Sequence, residues 1–228
     1  IGESICRHFL EAGYRVLNLS RRAAAFESAG LFNFPVDLAD REATRAVAAE
    51  IQAGFKVDTL VHNAGLIRAA LIEDVALEDL DYLTEVHLGS GITLLQSCLP
   101  AMKEKGMGRV INMSSRALLG LETRTSYAAT KAAIVGQTRT WALELGQHGI
   151  TVNAIAPGPI AATEMFHSVF EEGDPKIEAI AQTIPVKRVG HPDDVARAVM
   201  FLADEKNSFI TGQTLFVCGG ASLGSLSL

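Results

Sequence analysis

The sequence predicts an α/β fold, a doubly wound parallel β-sheet with helices on both faces, built as a single domain. Three observations carry that expectation. Short apolar runs such as VDTLV (57–61), RVINM (109–113) and ITVNAI (150–155) are continuous rather than alternating, as strands covered on both faces require. Segments of helical period separate these runs, so strand and helix alternate along the chain. Hydrophobic residues make up 48% of the 228 residues and charged residues 20%, enough apolar material for one well-filled core.

Taken in order, residues 3–12 read as a helix, with Ile5, Phe9 and Leu10 on one face and Gly13 as its stop. Residues 14–19 (YRVLNL) follow as a strand. A helix with no strand ahead of it leaves such a sheet without its centre, so a strand and a glycine-rich loop preceding Ile1 are expected. Residues 31–36 form the next strand, ending at Asp37. Asp40 can cap a helix over 41–52 that turns Val47 and Ile51 inward. The strand at 57–61 runs into His62-Asn63-Ala64-Gly65, and a long helix is predicted over 77–103, broken by Gly106 and Gly108. The strand at 109–113 leads into Ser114-Ser115, a helix reaches about residue 147, and Gly149 turns the chain into the strand at 150–155. Pro157-Gly158-Pro159 ends that strand. Residues 161–190 are less regular, with small helices; Pro192-Asp193-Asp194 opens a helix to about residue 203, and 213–217 is a last strand.

The bulk properties exclude several functions. A net charge of −6 without any basic run argues against nucleic acid as a partner. Cys6, Cys98 and Cys218 are far apart and form no C-x-x-C pair, so neither a disulfide framework nor a zinc site is suggested, and a reducing, cytoplasmic setting fits best. No apolar run approaches the length of a membrane span, so no membrane partner is expected.

Right-handed crossovers bring the C-terminal ends of parallel strands to one edge, where ligands bind in a Rossmann-type fold. Ser20, Asp37, Asn63, Ser115 and Pro157 all follow predicted strands and meet at that edge. Tyr127 and Lys131 stand four apart on a predicted helix, hence on one face about a turn apart. A phenol, an ammonium and a serine hydroxyl that converge make a proton-donating site.

These marks together resemble the short-chain dehydrogenase/reductase family, in particular bacterial members like 3-oxoacyl-carrier-protein reductase. They are Gly2, Asp37, Asn63-Ala64-Gly65, Ser115, Tyr127 with Lys131, Asn153 and Pro157-Gly158, and they span the chain to about Gly220. The resemblance implies hydride transfer between a nicotinamide cofactor and a carbonyl or secondary alcohol. Tyr127 would exchange a proton with the substrate oxygen, and Ser115 would orient that oxygen. Lys131 would lower the phenol's pKa and hydrogen-bond the nicotinamide ribose. Spacing back from Tyr127 picks Ser114 instead; the strand end picks Ser115, which we prefer. His87 stands where the family most often has an asparagine of a proton relay, and is assigned to the catalytic set. His62 replaces another asparagine and reads as a packing residue.

For the cofactor, Gly2 would close the glycine-rich loop. Ser20 followed by Arg21 and Arg22 replaces the acidic residue that would bind a ribose 2′-hydroxyl, and two guanidiniums suit a 2′-phosphate. NADP(H) is therefore expected over NAD(H). Asp37 and Leu38 would sit by the adenine, Asn63, Ala64 and Gly65 would bring backbone close to the cofactor, and Ile160 and Thr163, following the cofactor-binding Pro157 and Gly158, would meet the carboxamide. Residues 161–190 and the loop 116–126 would shape the substrate side, with Leu118, Leu119, Leu121, Met165, Phe166 and Phe170 beside Arg116, Glu122 and Arg124. That mix fits a medium-sized, largely apolar carbonyl compound. The resemblance also implies a homotetramer or homodimer. An epimerase or dehydratase on the same fold, or a nucleotide-binding regulator with impaired catalysis, are the alternatives.

Overall fold

The computed structural model describes residues 1–163, 166 and 174–223. Met165 and Phe170, two of the expected substrate-side residues, lie outside them. The elements run α1 (Gly2–Glu11), β1 (Val16–Ser20), β2 (Leu31–Pro35), α2 (Arg41–Gly54), β3 (Thr59–His62), α3 (Leu77–Thr84), α4 (Ser90–Lys105), β4 (Gly108–Met113), α5 (Thr125–Leu145), β5 (Ile150–Pro157), α6 (Pro175–Thr183), α7 (Pro192–Ala203) and β6 (Thr214–Val217).

All strand pairs are parallel, as expected. The sheet, however, is in two parts: β1 pairs with β2, and β3, β4, β5 and β6 pair in that order. β1 and β3 do not pair, and residues of both strands line one cavity between the parts. The parts are held by helices rather than by a shared ladder. On one face α2 sets Val47, Ala48 and Ile51 against Leu17 and Leu19 of β1 and Leu60 of β3. On the other, Ile5 and Phe9 of α1 pack with Val16, Val61, Ile111, Ile155 and the buried stripe of α7. Alternation along β4 explains the two faces: Ile111 and Met113 join the α1–α7 side, while Val110 packs with α4 and α5 through Leu95, Met102 and Ala142.

Local signals account for most boundaries. Asp40 caps α2 by accepting from the Glu42 and Ala43 amides. His191 and Asp194 form a reciprocal cap at α7, with Pro192 in the first turn. The helix expected over 77–103 is interrupted by a π-helical turn, Glu85–Gly89, in which the Ser90 amide reaches back to the Glu85 carbonyl. The wider turn shifts the helical face and carries His87 into the interior, where it is fully buried.

Candidate active site

One cavity of about 1800 Å³ runs along the C-terminal ends of the strands. Its walls include Gly2, Ser20, Arg21, Arg22, Asp37, Leu38, Asn63, Ala64, Gly65, Ser115, Tyr127, Lys131, Pro157, Gly158, Ile160 and Thr163. Every residue that the sequence assigned to catalysis or cofactor binding is therefore in this wall except His87, which stands behind it.

β4 and α5 build the reactive corner. β4 is buried along its length and delivers two serines to the cavity edge. Their surroundings separate their tasks. Ser114 is 2% exposed, and its hydroxyl donates to the Lys131 carbonyl at 2.7 Å, stitching β4 to α5. Ser115 is half-buried, accepts from the Ala117 amide at 3.1 Å, and hydrogen-bonds the Tyr127 phenol. The hydroxyl that faces the phenol is thus that of Ser115.

Tyr127 is 6% exposed, and burial raises its pKa above the ordinary value near 10. The Ser115 hydrogen bond and the nearby Arg124 guanidinium act the other way, because both favour the phenolate. Lys131 is also buried; its ammonium donates to the Met113 carbonyl at 2.8 Å and lies 5.6 Å from the Tyr127 ring centre. Burial pulls Lys131 down to about 7. Arg124 is the cation whose charge favours the phenolate in this nucleotide-free site.

His87 makes an edge-on contact with the Tyr127 ring, centres 5.7 Å apart. Its Nδ1 is 2.8 Å from the Thr130 hydroxyl, and its Nε2 accepts from the Leu66 amide at 3.3 Å. Burial first, and the Lys131 charge second, hold its pKa down to about 2, so it is neutral. His62 is buried beneath the site. It pairs with the Ser90 hydroxyl at 2.9 Å, tying β3 to α4, with its pKa held down to about 4 mainly by burial. Asn153 is structural too: its side chain donates to the Ile210 carbonyl and accepts from the Gln213 amide, joining β5 to the approach of β6.

The nucleotide end of the cavity offers backbone and cations. A Cβ on Gly2 would come within 2.9 Å of the Asn63 amide nitrogen, and one on Gly65 within 3.1 Å of both His87 Nε2 and Lys131 Nζ. Glycine therefore lets the backbone approach these side chains closely at both places. Arg21 and Arg22 are exposed beside Ser20, whose hydroxyl bonds the Arg22 carbonyl. Asp37 is exposed and accepts from the Ala39 amide; Leu38 is buried beside it. The Thr163 hydroxyl donates to the Ile160 carbonyl and accepts from the Phe166 amide, so it braces the turn after Pro159. These residues fit a dinucleotide: small residues where backbone must approach, cations at one end, and the phenol at the other.

On the substrate side, Arg116, Leu121, Glu122, Arg124 and Phe166 are in the wall, whereas Leu118 and Leu119 are not; Leu119 is 56% exposed on the outside of its turn. Sequence reasoning missed Leu66, Ile67 and Tyr82, which also line it, and Thr130, the partner of His87. A threonine next to Lys131 on the same predicted helix was the available signal for the last.

Comparison with known proteins agrees with this geometry. The family model for enoyl-(acyl carrier protein) reductase matches residues 1–222. A (2S)-[(R)-hydroxy(phenyl)methyl]succinyl-CoA dehydrogenase subunit of Thauera aromatica is 40% identical over 173 residues, 76% of this chain and 68% of that protein. A 3-oxoacyl-[acyl-carrier-protein] reductase of Thermotoga maritima is 35% identical over 189 residues, 82% of this chain and 75% of that one. Among solved structures, one assigned as an NAD(P)-dependent gluconate 5-dehydrogenase of Beutenbergia cavernae, with NADP bound at low occupancy, superposes with a TM-score of 0.89 at 34% identity, covering 98% of this chain and 92% of that one. With the cavity at the strand ends and the Ser115–Tyr127–Lys131 corner in its wall, the chain belongs to the short-chain dehydrogenase/reductase family of NAD(P)-dependent oxidoreductases.

Proposed function

We propose that the protein is an NADP(H)-dependent reductase of a medium-sized, largely apolar carbonyl compound, with Tyr127 as its acid. The observation that carries this is the Ser115–Tyr127 hydrogen bond at the wall of the cavity, one helical turn from Lys131. A bound reduced nicotinamide supplies the hydride. The chain's own residues manage the oxygen. Ser115, already hydrogen-bonded to the phenol, can donate to a carbonyl oxygen placed between them and polarise it. Tyr127 then gives its proton to that oxygen as negative charge develops there. Ser115 and Arg124 stabilise the phenolate left behind, lowering the cost of that transfer in a buried site.

Arg21 and Arg22 beside Ser20 support NADP(H) over NAD(H), and the solved relative from Beutenbergia cavernae holds NADP. Residues 161–190 serve as the substrate-side segment, on the evidence of Phe166, Ile180, Thr183, Ile184 and Pro185 in the cavity wall. A cytoplasmic setting and a homotetramer or homodimer complete the reading. Cys6, Cys98 and Cys218 are free thiols, and no described helix is long and apolar enough to cross a membrane.

The test is a carbonyl panel mixed with NADPH or NADH while reduced-nicotinamide absorbance is followed. The expected result is oxidation of NADPH with at least one ketone and slower oxidation of NADH. Tight NADPH binding with no turnover across a broad panel would contradict the reading.

A further inference from the structure

His87 has no face on the cavity, yet it touches three parts of the active site. Its ring packs edge-on against Tyr127, its Nδ1 meets Thr130 on the same helix, and its Nε2 meets the amide of Leu66. The hydrogen-bond network assigns its tautomer twice over. A backbone N–H only donates, so Nε2 must present its lone pair to Leu66. The Thr130 hydroxyl has one proton, which points at the Ser126 and Tyr127 carbonyls, both 3.0 Å away and both acceptors only. It therefore receives the hydrogen bond from His87, and the ring proton is on Nδ1. Both nitrogens of a neutral imidazole are then committed, one to α5 and one to the loop after β3.

That loop is part of the cavity wall. A Cβ on Gly65 would stand 3.1 Å from His87 Nε2 and from Lys131 Nζ alike, so the Gly65 backbone lies between imidazole and ammonium. We propose that His87 is a positioning residue: as a fixed Nδ1–H tautomer it clamps the Asn63–Leu66 loop to α5 through Thr130, and so sets where Gly65 meets Lys131 and the bound nucleotide. No proton passes through it, since neither nitrogen is open to a second partner. This differs from the relay role first expected at this position.

The inference rests on the oxidoreductase reading only for its effect on nucleotide binding; the clamp is testable in the nucleotide-free protein. Nitrogen-15 NMR of the wild type should show His87 as the Nδ1–H tautomer, unchanged between about pH 5 and 9, and a slowly exchanging Leu66 amide. An Nε2–H tautomer, or titration in that range, would overturn it. His87→Asn keeps an amide donor near Thr130 and loses the acceptor for Leu66; His87→Gln keeps an acceptor within reach of Leu66. The expected result is faster Leu66 exchange and about tenfold weaker NADPH binding in His87→Asn, with His87→Gln nearer the wild type in both. Equal Leu66 protection in all three proteins would overturn the clamp. So would an altered solvent isotope effect on turnover with NADPH affinity unchanged, which would put His87 in the proton path. Failure of the wild type to reduce any carbonyl would count against the reductase reading alone, because the exchange and tautomer measurements stand apart from it.

Discussion

Tyr127 is held between opposing influences, burial against the phenolate and Ser115 with Arg124 in favour of it. Removing the cation should raise the phenol's pKa further. Arg124→Gln is expected to move the pH dependence of turnover to higher pH, which a pH–rate profile of wild type and variant would show. Lys131 makes a second, independent prediction. Its pKa in the folded, nucleotide-free protein is about 7 against an ordinary 10.5. Between those values the unfolded chain holds a proton that the folded chain does not, so stability rises with pH across that window. Below about 7 the penalty of the buried ammonium is fully present. Lys131→Met should therefore be more stable than the wild type near neutrality, with the advantage shrinking as pH approaches 10.5, as read by denaturant unfolding at several pH values. An advantage that grows with pH would contradict the assignment. Tyr127 and Lys131 were legible in the sequence because helical spacing alone puts them together. The lowering of Lys131's own pKa was not, because it depends on burial that no local pattern encodes.

Among the elements, strands β3, β4 and β5 were readable as continuous apolar runs, and the caps at Asp40 and His191 fall beside the predicted helix starts. The π-helical turn at Glu85–Gly89 was not legible: a lone glycine such as Gly89 is tolerated within a helical pattern, and the turn becomes meaningful only when His87 finds Thr130 and Leu66. The choice between Ser114 and Ser115 was open in the sequence because loop spacing and strand end disagree. Packing separates them, since the side chain turned into the protein meets the α5 backbone and the next one meets the cavity. Ser115→Ala should cut turnover by about 10²-fold or more, the scale of losing one preorganised donor to a developing oxyanion. Ser114→Ala should act mainly on stability, by about 1 kcal/mol for a buried hydrogen bond. At the loop after β3, Gly65→Ala would set a methyl 3.1 Å from two buried polar atoms. The expected outcome is weaker NADPH binding by about tenfold, measured by fluorescence titration.

At the scale of the molecule, the parallel strands fall in two parts, joined by the α2 cluster on one face and the α1–α7 cluster on the other. Alternation of elements along the chain gave the parallel class. Ile51 sits at the junction, 4% exposed among residues of both parts. Ile51→Ala should destabilise the protein by about 2–4 kcal/mol, a cost paid at the seam rather than in either part alone. A nucleotide bound along the cavity touches both parts, so saturating NADPH should raise the melting temperature, and more than NADH does at equal concentration. In the proposed reaction the buried phenol at the cavity wall delivers the proton. The most direct measurement compares the rate of NADPH oxidation by wild type and Tyr127→Phe with one reduced ketone, at matched nucleotide saturation. We predict a loss of about 10²-fold or more with NADPH binding retained; turnover by Tyr127→Phe at the wild-type rate would contradict the account.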